Sequence, residues 1–159
     1  RLGRRLVVAN RLRFGSIDAP TSSTASDASE IVPYFKRYFL GGSTSLRGWG
    51  RYEVSPLTDS GLPIGGLSVL EGSSELRMRL TAKLSAVGFL DYGAVGASSW
   101  KPTADGMRAD VGPGVRYQTP VGPVRFDFGY QLTPIEVLVV KGEPESRHWR
   151  VHISIGQAL

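Results

Sequence analysis

Hydrophobic side chains recur at every second position in six separate stretches of this chain, the period of a strand with one apolar and one polar face. The last stretch is the clearest: Trp149, Val151, Ile153 and Ile155 fall on one side, and Arg150, His152, Ser154 and Gly156 on the other. Before it, Val124, Phe126, Phe128, Tyr130 and Leu132 alternate with Arg125, Asp127, Gly129 and Gln131. Further upstream, Val111, Val115 and Tyr117 oppose Arg108, Asp110, Arg116 and Gln118, and Leu84, Leu90 and Tyr92 oppose Lys83, Ser85 and Asp91. Leu76, Met78 and Leu80 oppose Glu71, Ser73, Glu75, Arg77 and Arg79, and the first stretch sets Leu6, Val8, Leu12 and Phe14 against Arg5, Arg11 and Arg13. The pattern predicts an all-β protein with strands at about 5–14, 68–80, 81–95, 107–119, 123–133 and 147–158, and no helix of consequence.

The connections alternate in length. Those near residues 80 and 121 are tight, the second because Thr119-Pro120-Val121-Gly122-Pro123 carries two prolines that fix φ and donate no ladder hydrogen bond. Those at about 16–66, 95–107 and 133–147 are long. Short turns at one end and long loops at the other are the habit of outer-membrane barrels, and each strand offers about ten residues, enough to cross a bilayer at a tilt. The polar face carries Arg, Glu or Asp in nearly every strand, which suits a wet lumen better than a packed core, so the apolar face is expected to meet lipid. The expected architecture is therefore an antiparallel transmembrane β-barrel. Six strands do not close one, since single-chain barrels need at least about eight. The chain is then the C-terminal part of a longer barrel, or one of several copies sharing a barrel.

Composition narrows this further. The chain has 159 residues, 41% hydrophobic and 21% charged, with 20 Gly and 10 Pro. It is too apolar for a disordered segment and too rich in turn formers for a helical bundle. No run of about 18 apolar residues provides a membrane-spanning helix, and no signal peptide is visible. The net charge is +5, with 15 Arg against 4 Lys. These arginines are spread from Arg1 to Arg150, often beside acidic residues, so the charge reads as fixed ion pairing rather than a nucleic-acid surface. With no Cys, disulfides, thiolate metal sites and thiol catalysis are all excluded.

The first long connection, roughly 50 residues, exceeds what a plain connector needs. Its first half, 18–30, is rich in Ser, Thr, Ala and Asp and is expected to be mobile. Its second half is aromatic and Gly-rich, running through Tyr38-Phe39-Leu40-Gly41-Gly42-Ser43 to Leu46-Arg47-Gly48-Trp49. These residues resemble the BamA, TamA and FhaC superfamily of outer-membrane insertases and transporters, the bacterial surface antigen family. The family carries a Val/Ile-Arg-Gly-Phe/Tyr motif at the tip of its sixth extracellular loop, and here Trp49 takes the place of the usual Phe or Tyr. The likeness continues in order. Glu75 and Asp91 are similar to the acidic residues of the family's twelfth and thirteenth strands, and the segments from Gly112 to Pro123 and from His152 to Leu159 are similar to strands fourteen to sixteen.

The resemblance implies that residues 1–159 form the last six strands of a sixteen-stranded barrel, with an inward-folded loop at about 16–66. It implies that Arg47 pairs with Glu75 and Asp91 in the lumen, and the alternation independently places both carboxylates on the polar face of adjacent strands, where a planar guanidinium suits two acceptors. It implies a weakly paired seam and sorting signal at the last strand, through Trp149, Val151, Ile153, Ile155, Gly156 and Leu159, although Leu159 departs from the family's terminal aromatic. An edge strand with free donors and acceptors invites strand addition. The implied function is assembly or translocation of proteins at the bacterial outer membrane without nucleotide, cofactor or metal. The implied partners are outer-membrane lipids, unfolded outer-membrane or secreted proteins, and periplasmic domains upstream.

Catalytic readings are poorer. Ser98-Ser99-Trp100-Lys101 matches Ser-x-x-Lys but lacks the helix that motif needs. His148 and His152 stand four apart, about 13 Å along a strand, too far to share a metal. No Walker A or nucleophile-elbow sequence exists. Glu75 and Asp91 could serve as an acid/base pair in an all-β hydrolase. A soluble all-β binding or hydrolytic module is thus the alternative to a non-enzymatic membrane assembly factor.

Overall fold

The computed structural model describes residues 5–18, 31–102 and 106–156. The Ser/Thr-rich segment beyond Asp18 and the terminal residue Leu159 lie outside the described residues. Six strands form one antiparallel sheet: β1 (Leu6–Ser16), β2 (Ser68–Arg79), β3 (Leu84–Gly96), β4 (Arg108–Thr119), β5 (Gly122–Gln131) and, last in the chain, β8 (Trp149–Ile155). They pair in chain order, β1-β2-β3-β4-β5-β8. The sheet is open, with β1 and β8 each hydrogen-bonded to a single neighbour within it.

Three details differ from the alternation. The predicted start at 81 moves to Leu84, because residues 80–83 form a turn in which the Thr81 hydroxyl accepts the amides of Lys83 and Leu84. The second tight turn is shorter than expected. Thr119 pairs with Gly122, leaving Pro120 and Val121 as the link, and Pro123 sits inside β5 opposite Gln118. The connection read as a plain loop at 133–147 contains a small hairpin, β6 (Val139–Val140) with β7 (Glu143–Pro144). A 3-10 turn, Tyr34–Lys36, is placed in the described part of the first long connection.

The two faces of the sheet are chemically opposite. Leu12, Phe14, Leu76, Leu90, Phe126, Tyr130 and Ile153 stand exposed on the outer face, whereas Glu71, Glu75, Asp91, Asp110, Arg125 and Asp127 are buried on the inner one. This inverts a soluble sandwich, whose buried face is apolar, and an apolar outer surface of this extent belongs against lipid or protein.

The long connection fills the inner side. Its described part folds back on itself through bridges between Tyr38 and Gly66, Leu40 and Val54, and Leu57 and Pro63. Its apolar residues Leu40, Leu46, Trp49 and Val54 pack against Val69 and Val95 of the sheet and Ile135 and Leu138 of the β5–β6 connection. The loop thus has a hydrophobic core of its own near the long-loop end. The charged contacts lie deeper.

Candidate functional site

The loop reaches the sheet at a tight turn. The amide of Trp49 donates to the carbonyl of Leu46 at 3.2 Å, which puts Arg47 and Gly48 at the corner. Gly41 and Gly42, both at φ above +100°, bring the chain in, and the amide of Gly42 donates to the carbonyls of both Leu46 and Trp49. Leu46 and Trp49 point into the loop core and are fully buried, leaving Arg47 to project toward the wall.

Arg47 uses all three guanidinium nitrogens. Nε donates to Asp91 Oδ2 at 2.7 Å and Nη2 to Asp91 Oδ1 at 2.8 Å, a two-pronged match, while Nη1 donates to Glu75 Oε1 at 2.6 Å. Nη2 also reaches the Ser73 hydroxyl at 3.2 Å, and Ser73 in turn donates to Asp91. The guanidinium carbon stands over the Phe89 ring, 3.6 Å from its centroid. Burial opposes the charge on Arg47, but the hydrogen bonds and charges of Asp91 and Glu75 outweigh it and hold its pKa above the ordinary value.

The acids are shared with the wall's own arginines. Arg77 bonds Glu75 at 2.7 Å, Arg116 lies 3.4 Å from Glu75 and bonds Asp127, and Arg125 bonds Asp127 at 2.9 Å. Asp127 stands 3.7 Å from Arg47 Nη1. A buried pair is favourable only when its remaining donors and acceptors are satisfied, which this network does for every one of these acids. Asp110 is different. It is fully buried and stands opposite Asp91 in the β3–β4 register; among the described residues no hydrogen bond of good geometry reaches its carboxylate oxygens, the Gly48 amide and Asp91 being its polar neighbours.

The backbone of the turn is held as firmly as its side chain. Four side chains from three strands donate to its carbonyls: Arg11 of β1 to Thr44, Arg125 of β5 to Ser43, Gln131 of β5 to Gly48 at 2.8 Å, and His152 Nε2 of β8 to Arg47 at 3.0 Å. Such close approach needs a wall without side chains at the contact. Gly129 provides it, since a Cβ there would strike the Arg47 carbonyl. On the loop side, a Cβ on Gly48 would stand 2.7 Å from that of Asp110. Gly48 is not in the positive-φ region, so space rather than backbone freedom demands glycine there.

The structure therefore brings Arg47, Glu75 and Asp91 into one cluster and buries Gly48 and Trp49 beside them. Trp149, Val151, Ile153 and Ile155 lie apart from this cluster, exposed on the outer face of β8, and Gly156 follows at φ 107°. Several participants were outside the residues picked from sequence: Phe89, Asp110, Asp127, Gln131 and His152. Asp110 and Asp127 were legible as inward-facing acids, but Gln131 and His152 bind backbone carbonyls, which leave no mark in a sequence. Ser98 and Lys101 form an isolated bridge in the β3–β4 connection. His148 precedes β8, its carbonyl accepting the amide of Gln131. Among the described residues no group of three potential metal ligands occurs.

A family model described as the Omp85 superfamily domain matches residues 2–158. The outer membrane protein assembly factor BamA of Nitratidesulfovibrio vulgaris (strain Hildenborough) is 32% identical over 108 residues, covering 64% of this chain and 13% of that protein. The crystal structure of BamA from Haemophilus ducreyi lacking POTRA domains 1–3 superposes with a TM-score of 0.63 at 20% identity, covering 96% of this chain and 32% of the other. This chain thus spans a minor part of the length of either relative.

Proposed function

The chain belongs to the Omp85 superfamily, and from that premise we propose that it is the C-terminal part of an outer-membrane barrel that assembles other proteins into that membrane. It resides in the outer membrane, with the apolar outer face of the sheet against lipid and the tight turns toward the periplasm. The long loop enters from outside, and Arg47, Glu75 and Asp91 pin its tip to the lumen wall. The side of β8 turned away from β5 serves as the seam at which an incoming strand pairs through its backbone donors and acceptors. No nucleotide acts; the free energy comes from the substrate's own folding and burial in lipid. Unfolded outer-membrane proteins are the substrates, delivered by periplasmic domains upstream.

The observation that supports this reading best is a loop turn fixed to the inner face of β8, where His152 donates to the Arg47 carbonyl. Placing a photo-crosslinking residue at Val151 or Ile153 in the full-length protein tests it. Adducts with an unfolded outer-membrane protein at these positions, and none from Leu90 in mid-sheet, are expected. Equal labelling at all three, or none at β8, would refute the seam.

A further inference from the structure

β8 is an edge strand of seven residues hydrogen-bonded to β5 alone within the sheet. Its inward side chains are Arg150, His152 and Ser154, and the first two bind the long loop. His152 reaches the Arg47 carbonyl. Arg150 does more. Its Nη2 donates to both oxygens of Glu53, at 3.0 and 3.1 Å, and to Glu145 Oε2 at 2.7 Å.

Each acid is itself fixed. Glu53 Oε2 accepts the amide of Gly50 at 2.6 Å, tying this carboxylate to the residue just after the Arg47 turn. Glu145 accepts both the backbone amide and the guanidinium of Arg147, at 2.9 to 3.0 Å. Two arginines and two glutamates close a neutral quartet from three segments: the long loop, the β7–β8 connection and β8 itself. Arg150 and Glu53 are each largely shielded from solvent, with side chains 12% and 10% exposed, so their attraction is screened less than that of a surface pair.

We propose that Arg150 is a positioning residue that clasps the start of the terminal strand to the long loop through Glu53 and Glu145, so that loop release and opening of the strand's edge are one event. The β8 edge is then available in proportion to how often this clasp is undone. The functional half of the inference rests on the reading of β8 as a seam; the structural half does not.

Hydrogen exchange separates the two. In the full-length protein reconstituted in liposomes, amide exchange is followed by mass spectrometry for β8, the loop 37–66 and, as an internal reference, β2 and β3. Glu53→Gln, Arg150→Gln and the double variant are each expected to speed exchange in β8 and in the loop by about tenfold, with the double no worse than either single, because partners in one network do not act additively. Unchanged β8 exchange in Arg150→Gln, or additive effects, would overturn the clasp. Glu145→Gln provides a variant outside the main sheet, expected to accelerate β8 by a smaller factor with β2 and β3 unchanged; no acceleration would count against it. Insertion of an unfolded outer-membrane protein is measured on the same samples. Faster exchange with altered insertion supports both halves, while faster exchange with unaltered insertion retains the clasp and refutes the seam reading on which its function rests.

Discussion

The guanidinium carbon of Arg47 stands over the ring of Phe89, 3.6 Å from its centroid, while its nitrogens bond Asp91 and Glu75. A stacked, forked cation of this kind is not replaceable by an ammonium. Arg47→Lys is expected to keep one ion pair and lose the fork, and Arg47→Ala to leave Asp91 buried without a cation, at about 3 kcal/mol or more of loop docking. Limited proteolysis across 37–66 checks this: cleavage should rise in the order wild type, Lys, Ala. Equal resistance in all three would contradict it.

The glycines at the contact make a steric prediction. Gly129→Ala sets a methyl group against the Arg47 carbonyl, and Gly48→Ala sets one against Asp110 and Gln131. Neither neighbour can retreat without breaking the hydrogen bonds of Gln131 or His152. Both variants are expected to free the loop to proteases about as fully as Arg47→Ala, although neither removes a charge. Gly88→Ala, whose Cβ meets nothing within 4 Å, is the control and should behave as wild type.

Asp110 predicts a gain. It faces Asp91 across the β3–β4 ladder, and among the described residues no hydrogen bond of good geometry reaches its oxygens. Two carboxyl groups facing each other across a ladder disfavour each other's charge, and a buried carboxyl without well-formed hydrogen bonds costs free energy. Asp110→Asn should raise the temperature at which the protein loses its folded, heat-modifiable mobility in detergent. A fall of several degrees would show that the carboxylate has a partner.

The Glu145 carboxyl, outside the main sheet, predicts an acid response. The hydrogen bond from Arg147 comes first among its causes, burial opposes it, and Arg150 adds to it, so its pKa is lowered from 4.5 to about 2. A group with a depressed folded-state value contributes stability that is complete above its unfolded value and is lost as pH falls through the folded one. The contribution of Glu145 should therefore be full above about pH 4.5 and vanish toward pH 2. Fluorescence of a label placed on the β7–β8 connection should report loosening in that window. Glu145→Gln should abolish that component of the response.

The sequence showed the strands and their faces plainly because period two survives wherever one side meets lipid and the other side meets water or charge. In β5 all eight residues from Val124 to Gln131 were assigned to the side they occupy, and the family resemblance named Arg47, Glu75 and Asp91, with the alternation placing both acids on the inner face. What stayed hidden was held by main chain or by shape. The carbonyls that receive Gln131 and His152 have no side-chain signature, and the clearance at Gly129 appears only once the loop is folded against it. Phe89 is apolar on the charged face of β3, and its ring is the platform for Arg47. Glu53 and Arg150 are 97 residues apart, and no local pattern joins them.

The most direct test of the account is insertion itself. Full-length protein, wild type and Arg47→Ala, is reconstituted in liposomes without nucleotide, and folding of an unfolded outer-membrane protein into those liposomes is timed against empty ones. The account predicts clear acceleration by wild type and a loss of about tenfold or more for Arg47→Ala, in line with the loop docking it removes. Equal rates for the two proteins would contradict a role for the pinned loop, and a wild-type rate no faster than empty liposomes would contradict the assembly function.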